Sequence, residues 1–448
     1  MSIQPVLLWS DALLFVLIAA IIALTLWARR EDNLRAAWGR VLRDGVAMAA
    51  ATVLAVFVVI GLLDSLHYRA RLDSKPGEPV RYAVEVHSAL DALLSDLRLH
   101  GEKTYSAPLA THLYAKESIG DTANRDFPRL KHGGAHLGAD LEAHGSDIAK
   151  RVLLGAAAGL ALWWLLRLLL HRWRRPDGMA IDAVLYTLLP ILLLGGAMTV
   201  LAGGYHVFGT DKVGQDVLYL SLKSIRTGLL IGTLTTLVML PLAVLLGILA
   251  GYVGGWVDDL IQYLYTTLSS IPGVLLIAAA VLMMQVIIDT HPQWFATSAE
   301  RADARLLALC LILGMTSWTG VARLLRGETM KLRELEFVQA AQAFGVGRFA
   351  IMGRHILPNL MHIVLIALVM DFSGLVLAEA VLSYVGVGVD PSTISFGTMI
   401  NTARMELARE PMVWWSLLAA FGFMFALVLA ANLFADAVRD AFDPRLVK

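Results

Sequence analysis

The chain has 448 residues, of which 57% are hydrophobic and 17% charged, with a mean hydropathy of +0.66. That apolar share exceeds the roughly one half usual in soluble domains and assigns the chain to a bilayer. A formal net charge of +0 argues against a nucleic-acid partner or an acidic tail, and the single cysteine, Cys310, excludes a disulfide within the chain.

A helix needs about 20 mostly apolar residues to cross a bilayer. Nine such runs occur, near residues 11–28, 45–63, 152–170, 183–203, 228–250, 269–288, 305–322, 360–384 and 412–435. They are continuously apolar and lack the alternation of barrel strands, so helices are the expected spanning form. The N-terminus does not read as a signal peptide, because Arg29 and Arg30 follow the first run and residues 1–10 carry no Lys or Arg. Basic residues fill alternate connections: Arg29, Arg30, Arg35, Arg40 and Arg43, then Arg172, Arg174 and Arg175, then Arg326, Lys331, Arg333, Arg348 and Arg354, then Arg439, Arg445 and Lys448. By the positive-inside tendency these face the cytoplasm, which predicts an outside N-terminus and a cytoplasmic C-terminus. The 251–268 connection fits poorly, since it holds Asp258 and Asp259 and no positive charge.

Residues 64–151 form one long polar insert, expected to be a small, mainly helical extracytoplasmic domain. Tyr82, Val86, Leu90, Leu93, Leu94 and Leu97 recur at helical spacing between Pro79 and Gly101, predicting one amphipathic helix. Seven of the twelve histidines lie in this insert, at 67, 87, 100, 112, 132, 136 and 144. Gly133 and Gly134 separate His132 from His136, so these histidines are read as a solvated surface and not as a metal site.

The most informative stretch is Leu332 to Asn359, LRELEFVQAAQAFGVGRFAIMGRHILPN. Glu336 through Phe344 can form a short helix with small Ala340 and Ala341 available for close approach, and Gly345 can end it. This stretch resembles the signature loop of ABC importer permeases, whose frame is Glu-Ala-Ala, three residues, Gly, nine residues, then Ile-x-Leu-Pro. Gln339, Ala340, Ala341, Gly345, Leu357 and Pro358 occupy that frame, while Gln339 replaces its Glu and His355 its Ile. Gly209–Gly232, Gly247–Asp259, Leu268–Leu276, Ala378–Pro391 and Asn432–Arg445 follow in the same family's order and look like its dipeptide/oligopeptide/nickel branch.

The resemblance implies an all-α integral membrane protein with a six-helix permease core at 181–448 and a cytoplasmic coupling loop at 326–359. Residues 1–63 would add two N-terminal spans, and residues 152–180 a third with a cytoplasmic linker. It further implies a second permease, two ATPase subunits and a periplasmic substrate-binding protein as partners. ATP and Mg²⁺ would be used by the ATPase subunits; this chain has no Gly-x-x-x-x-Gly-Lys-Ser/Thr phosphate loop and is expected to bind no cofactor and to catalyse no reaction. Asp371 and Glu379 stand inside the eighth span, where ionisable groups are costly; they are candidates for the solute path or a gate, or else for polar packing between helices. An ion-coupled carrier would use them as coupling sites but usually shows internal repeats, which this sequence lacks. A sensor or scaffold role would rest on the insert alone.

Overall fold

The computed structural model describes residues 3–28, 32–72, 81–118, 125–138, 142–171, 178–295 and 297–442. Of the basic positions used for orientation, Arg29, Arg30, Arg172, Arg174, Arg175, Arg445 and Lys448 lie outside the described residues.

The chain opens with strand β1 (Ile3–Val6), helix α1 (Trp9–Ala28), a short helix α2 (Asp32–Arg43) and α3 (Gly45–Ser65). The insert contributes β2 (His67–Ala70), β3 (His87–Ser88), α4 (Ala89–Leu93), α5 (Ser95–Leu99), β4 (Glu117–Ser118) and β5 (Arg125–Asp126). There follow α6 (His144–His171), α7 (Ile181–Ala202), α8 (Val217–Val253), α9 (Gly255–Ser270), α10 (Gly273–Thr290) and α11 (Ser298–Arg333). The last elements are α12 (Glu336–Ala343), α13 (Arg348–Ile351), α14 (Leu357–Val385), α15 (Phe396–Leu407) and α16 (Trp415–Phe442). Among the described residues eight helical segments are long and apolar enough to cross a bilayer, and α1, 20 residues long, occupies the ninth expected position. The protein is an all-α integral membrane protein, since helices satisfy their own backbone groups where no water can. At about 1.5 Å per residue, α8 and α11, with 37 and 36 residues, exceed the roughly 30 Å hydrocarbon layer and extend beyond it.

The chain divides into two compact units. The first comprises Met1–Leu7, Asn33–Gly228 and Thr393–Phe434. In it α6 and α7 run antiparallel with their backbones touching: a Cβ on Gly159 would lie 2.1 Å from the Leu192 carbonyl oxygen, and one on Gly155 2.3 Å from that of Gly196. Only small residues permit such an approach in a membrane. Trp163 donates its indole N–H to the Leu185 carbonyl at 2.7 Å, closing the same seam.

The insert belongs to this unit and differs from the expected helical domain. β1, β2 and β3 form an antiparallel sheet in that order, and β4 pairs with β5. The single amphipathic helix is not formed; the Ala83 amide bonds to the Ala70 carbonyl and His87 pairs with Tyr68, so the backbone from 81 to 88 is held by β2. Helix begins only at Ser88, where a capping box with Asp91 starts α4, and it breaks at Leu94 before α5. Leu90 and Leu97 are buried as the periodicity demands, but Leu93 is 71% exposed. The histidines are also mostly engaged: His100 stacks on His132, His87 contacts Arg98, His136 contacts Asp147, and His144 bonds to the Leu109 carbonyl. They are not a free solvated face, because the strands and loops fold them back onto neighbouring polar groups. Among the described residues no set of three His, Cys, Asp or Glu converges as a metal site.

Two buried polar networks bind the insert to the start of α8 and the segment before it. Lys223 of α8 reaches Asp64 at 2.7 Å and Asp91 at 3.0 Å, and Tyr219 donates to Asp91 at 2.8 Å. His206 contacts Asp216 at 2.8 Å and Glu102 at 3.4 Å. Burial by itself would lower the His206 pKa, but the hydrogen bonds and charges of Asp216 and Glu102 lift it to about 9. Burial would raise the Glu102 pKa, yet His206 and the amides of His132, Lys131 and Gly133 bring it to about 2. Both shifts favour an imidazolium at His206 facing the Glu102 carboxylate.

The second unit comprises Leu8–Asp32, Leu229–Ser392 and Ala435–Lys448. It has one core built on α8, α9, α11 and α14 around Met239, Tyr252, Tyr265, Trp318, Leu325 and Leu360, and another around Leu230, Leu309 and Leu313. α1 is tied in at its start, where the Ser10 amide and hydroxyl both donate to Asp303.

Candidate functional site

The signature loop lies in the second unit, where α11 ends and α14 begins. Local sequence dictates each turn of it. Leu335 is extended, and its carbonyl accepts from Val338 and Gln339 to open α12. The helix ends at Gly345, whose φ of +77° is left-handed. The Gly345 amide bonds to the Gln342 carbonyl and the Val346 amide to the Ala341 carbonyl, the paired bonds of a Schellman stop. Before α14 the backbone widens into a π-helical turn, Met352–Ile356. Pro358 has no N–H to donate to the preceding turn, and the Asn359 side chain donates to the His355 carbonyl at 2.6 Å. The Leu357–Pro358 pair thus sets the angle at which the loop re-enters the membrane helix.

Packing then fixes which side the loop shows. Val338 and Ala341, three residues apart, are buried, as are Ile351, Met352 and Ile356, against a core that includes Tyr252, Ile261 and Tyr265. Gln342 donates to the Tyr252 hydroxyl at 3.3 Å. Arg326 forms a two-pronged pair with Asp258, both contacts at 2.6 Å, and this hydrogen bond with its charge holds the Asp258 pKa below the usual carboxylate range. Arg323 lies over the Tyr265 ring at 4.9 Å. The opposite side is open: Glu336, Phe337, Gln339, Ala340 and Gly345 are exposed, Phe344 is 87% exposed and Phe349 80%. Two nearly bare phenylalanines beside a short helix, rooted in a rigid core, form an apolar contact surface.

This placement alters one sequence expectation. Ala340 and Ala341 do not both offer close approach to another protein; Ala340 is presented, whereas Ala341 is turned into the chain's own core by the i, i+3 pairing with Val338. Sequence reasoning also missed Asp258, Tyr252, Phe344 and Phe349. The acidic pair in an otherwise uncharged connection was a signal for Asp258, since Arg326 lies two predicted connections away, on the same expected side of the membrane. The loop that fitted orientation poorly is in fact α9, and its acid answers the basic end of α11.

Asp371 and Glu379 lie apart from this surface, both on α14. Glu379 is buried and accepts from the Ser383 hydroxyl at 2.6 Å on its own helix. Asp371 is half-buried and its Oδ2 has no hydrogen-bond partner among the described residues. The structure does not bring the two carboxylates together with any hydrogen bond.

A family model described as "Binding-protein-dependent transport system inner membrane component" matches residues 243–448. The chain is 31% identical over 242 residues to an oligopeptide transport system permease protein OppC of Mycobacterium bovis, covering 54% of this chain and 77% of the relative. It is 30% identical to the protein of that name in Haemophilus influenzae, covering 54% and 71%. It is 31% identical over 243 residues to a glutathione transport system permease protein GsiD of Pectobacterium atrosepticum, covering 54% and 73%. The ordered motifs, the membrane helices and these similarities agree: the chain belongs to the binding-protein-dependent transport system inner-membrane components, the permease subunits of ABC importers.

Proposed function

We propose that this permease carries di- or oligopeptides across the inner membrane by alternating access, driven by partner ATPase subunits. A second permease, two ATPase subunits and a periplasmic substrate-binding protein complete the transporter, and ATP and Mg²⁺ act on the ATPase subunits. The observation that carries the reading is the α12–α13 loop, which offers Phe337, Phe344 and Phe349 outward while Val338 and Ala341 root it in the bundle. A helix so anchored passes a push from a docked partner into α11 and α14 as rigid-body motion. The basic residues of α11 and its loop support a cytoplasmic position for this surface and an external one for the insert. The peptide substrate is supported by the names of the relatives, oligopeptide, dipeptide and glutathione permeases. Asp371, with one unpartnered oxygen inside a membrane helix, is the residue best suited to meet a solute or gate group, whereas Glu379 holds its own helix.

Reconstitution with its ATPase, sister permease and binding protein tests this. Uptake of a labelled peptide should require ATP, and Phe344→Ala with Phe349→Ala should abolish ATPase copurification while leaving insertion intact. Uptake driven by a proton or sodium gradient without ATP would overturn the assignment in favour of a secondary carrier.

A further inference from the structure

Helix α2, DNLRAAWGRVLR, has no place in the coupling scheme, yet its residues are sharply sorted. At about 100° per residue, Arg35, Arg43 and Arg40 fall near 0°, 80° and 140° around the helix, while Ala37, Val41, Trp38 and Leu42 fall near 200°, 240°, 300° and 340°. Ala37 and Val41 are 4% and 2% exposed, so the centre of the apolar side is buried inside the first unit, while Leu42 at its margin, beside Arg35, is 40% exposed. The three arginines are exposed, and among the described residues none has an ion pair or side-chain hydrogen bond.

Position supplies the partner. The Leu42 carbonyl accepts from the Ala180 amide at 2.8 Å, one residue before α7 begins. The next residue but one, Asp44, caps α3 by accepting from the Val46 and Ala47 amides at 2.6 and 3.1 Å. Two membrane-crossing helices therefore begin at the C-terminal end of α2, which puts its arginines level with the lipid headgroups. There the anion at high density is the phosphodiester, whose paired oxygens match a guanidinium fork. Arg40 and Arg43, three residues apart, have Cβ atoms about 5–6 Å apart and can share one phosphate, and Arg35 lies about 7.5 Å further along the axis, within reach of a second.

We propose that α2 is a binding site for anionic phospholipid headgroups, in which Arg35, Arg40 and Arg43 hold lipid phosphates at the edge of the first unit. With Ala37 and Val41 buried, the arginine arc is left to charge recognition, which favours anionic over zwitterionic lipid and weakens with salt.

Native mass spectrometry of the full-length protein released from detergent, titrated with phosphatidylglycerol, phosphatidylcholine or inorganic phosphate, tests the site. Phosphatidylglycerol should bind in preference to both others, and its affinity should fall as ionic strength rises. Each Arg→Gln change should weaken it about fivefold and R35Q/R40Q/R43Q about a hundredfold, while the corresponding Arg→Lys triple retains most of it. Unchanged phosphatidylglycerol binding in the Gln triple would overturn the proposal, as would equal binding of phosphatidylcholine. Should the Gln triple fail to fold, salt-independent phosphatidylglycerol binding by the unaltered protein would refute it equally.

Discussion

At Gly345 a single backbone angle decides whether α12 ends where Phe344 is presented. A side chain at φ +77° costs about 1–2 kcal/mol, enough to shift the turn without unfolding a membrane bundle. Gly345→Val should therefore leave insertion unchanged and lower ATP-dependent uptake, read together with ATPase copurification. Ala340 and Ala341 separate docking from folding. Ala340→Asp places a charge on the exposed side and should weaken ATPase copurification in a protein of normal thermal stability. Ala341→Asp puts it into the buried side, where an unpaired charge costs several kcal/mol, and should lower the melting temperature and the yield. The family frame made Gly345, Leu357 and Pro358 legible in the sequence, and for Gly345 and Pro358 the residue type itself carries a backbone requirement. It could not distinguish Ala340 from Ala341, because which alanine turns inward depends on Tyr252 and Ile261, some 80 to 90 residues away in the chain.

Among elements, the insert carries the strongest electrostatic expectations. The folded His206 pKa, about 9, lies above the ordinary 6.5, so its stabilisation is full below pH 6.5 and is lost as pH rises toward 9. The folded Glu102 pKa, about 2, lies below the ordinary 4.5, so its contribution is full above pH 4.5 and is lost as pH falls toward 2. Hydrogen exchange of the 203–216 segment should be slowest between pH 4.5 and 6.5 once corrected for intrinsic rates, and His206→Gln should flatten the alkaline limb. The Lys223 network gives a second expectation. Lys223→Met leaves Asp64 and Asp91 buried without their cation and should destabilise the first unit by about 3–5 kcal/mol; adding Asp91→Asn should recover part of that loss in a thermal-unfolding assay. The insert does not form the one long amphipathic helix that its leucines predict. Leucine periodicity was present, but Ala70 and Tyr68 supplied competing strand bonds that no local pattern announces.

For the whole molecule, the positive-inside pattern and the buried ion pairs of the insert each make a direct expectation. A cysteine at Ser95 should react with an impermeant thiol reagent in spheroplasts, whereas one at Ala36 should react only after the membrane is opened; buried Cys310 should stay silent in both. Reversed labelling would overturn the topology. Replacing residues 64–151 by a flexible linker removes Asp64, Asp91 and Glu102, the carboxylates facing Lys223 and His206, and also the first turns of α6. The replacement should therefore lower yield and melting temperature sharply, and a protein of unchanged stability would show that the insert is a detachable module.

By itself the sequence determined the membrane class, the placement of nine apolar helices and the family, because hydrocarbon thickness and backbone self-satisfaction act on contiguous residues and leave a local record. The tertiary structure alone decided which face of the signature loop is presented, how the acids of the insert answer Lys223 and His206, and where the arginines of α2 stand. Those outcomes come from side chains distant in sequence competing for the same buried space and hydrogen bonds, and such competition leaves no periodic trace in the chain.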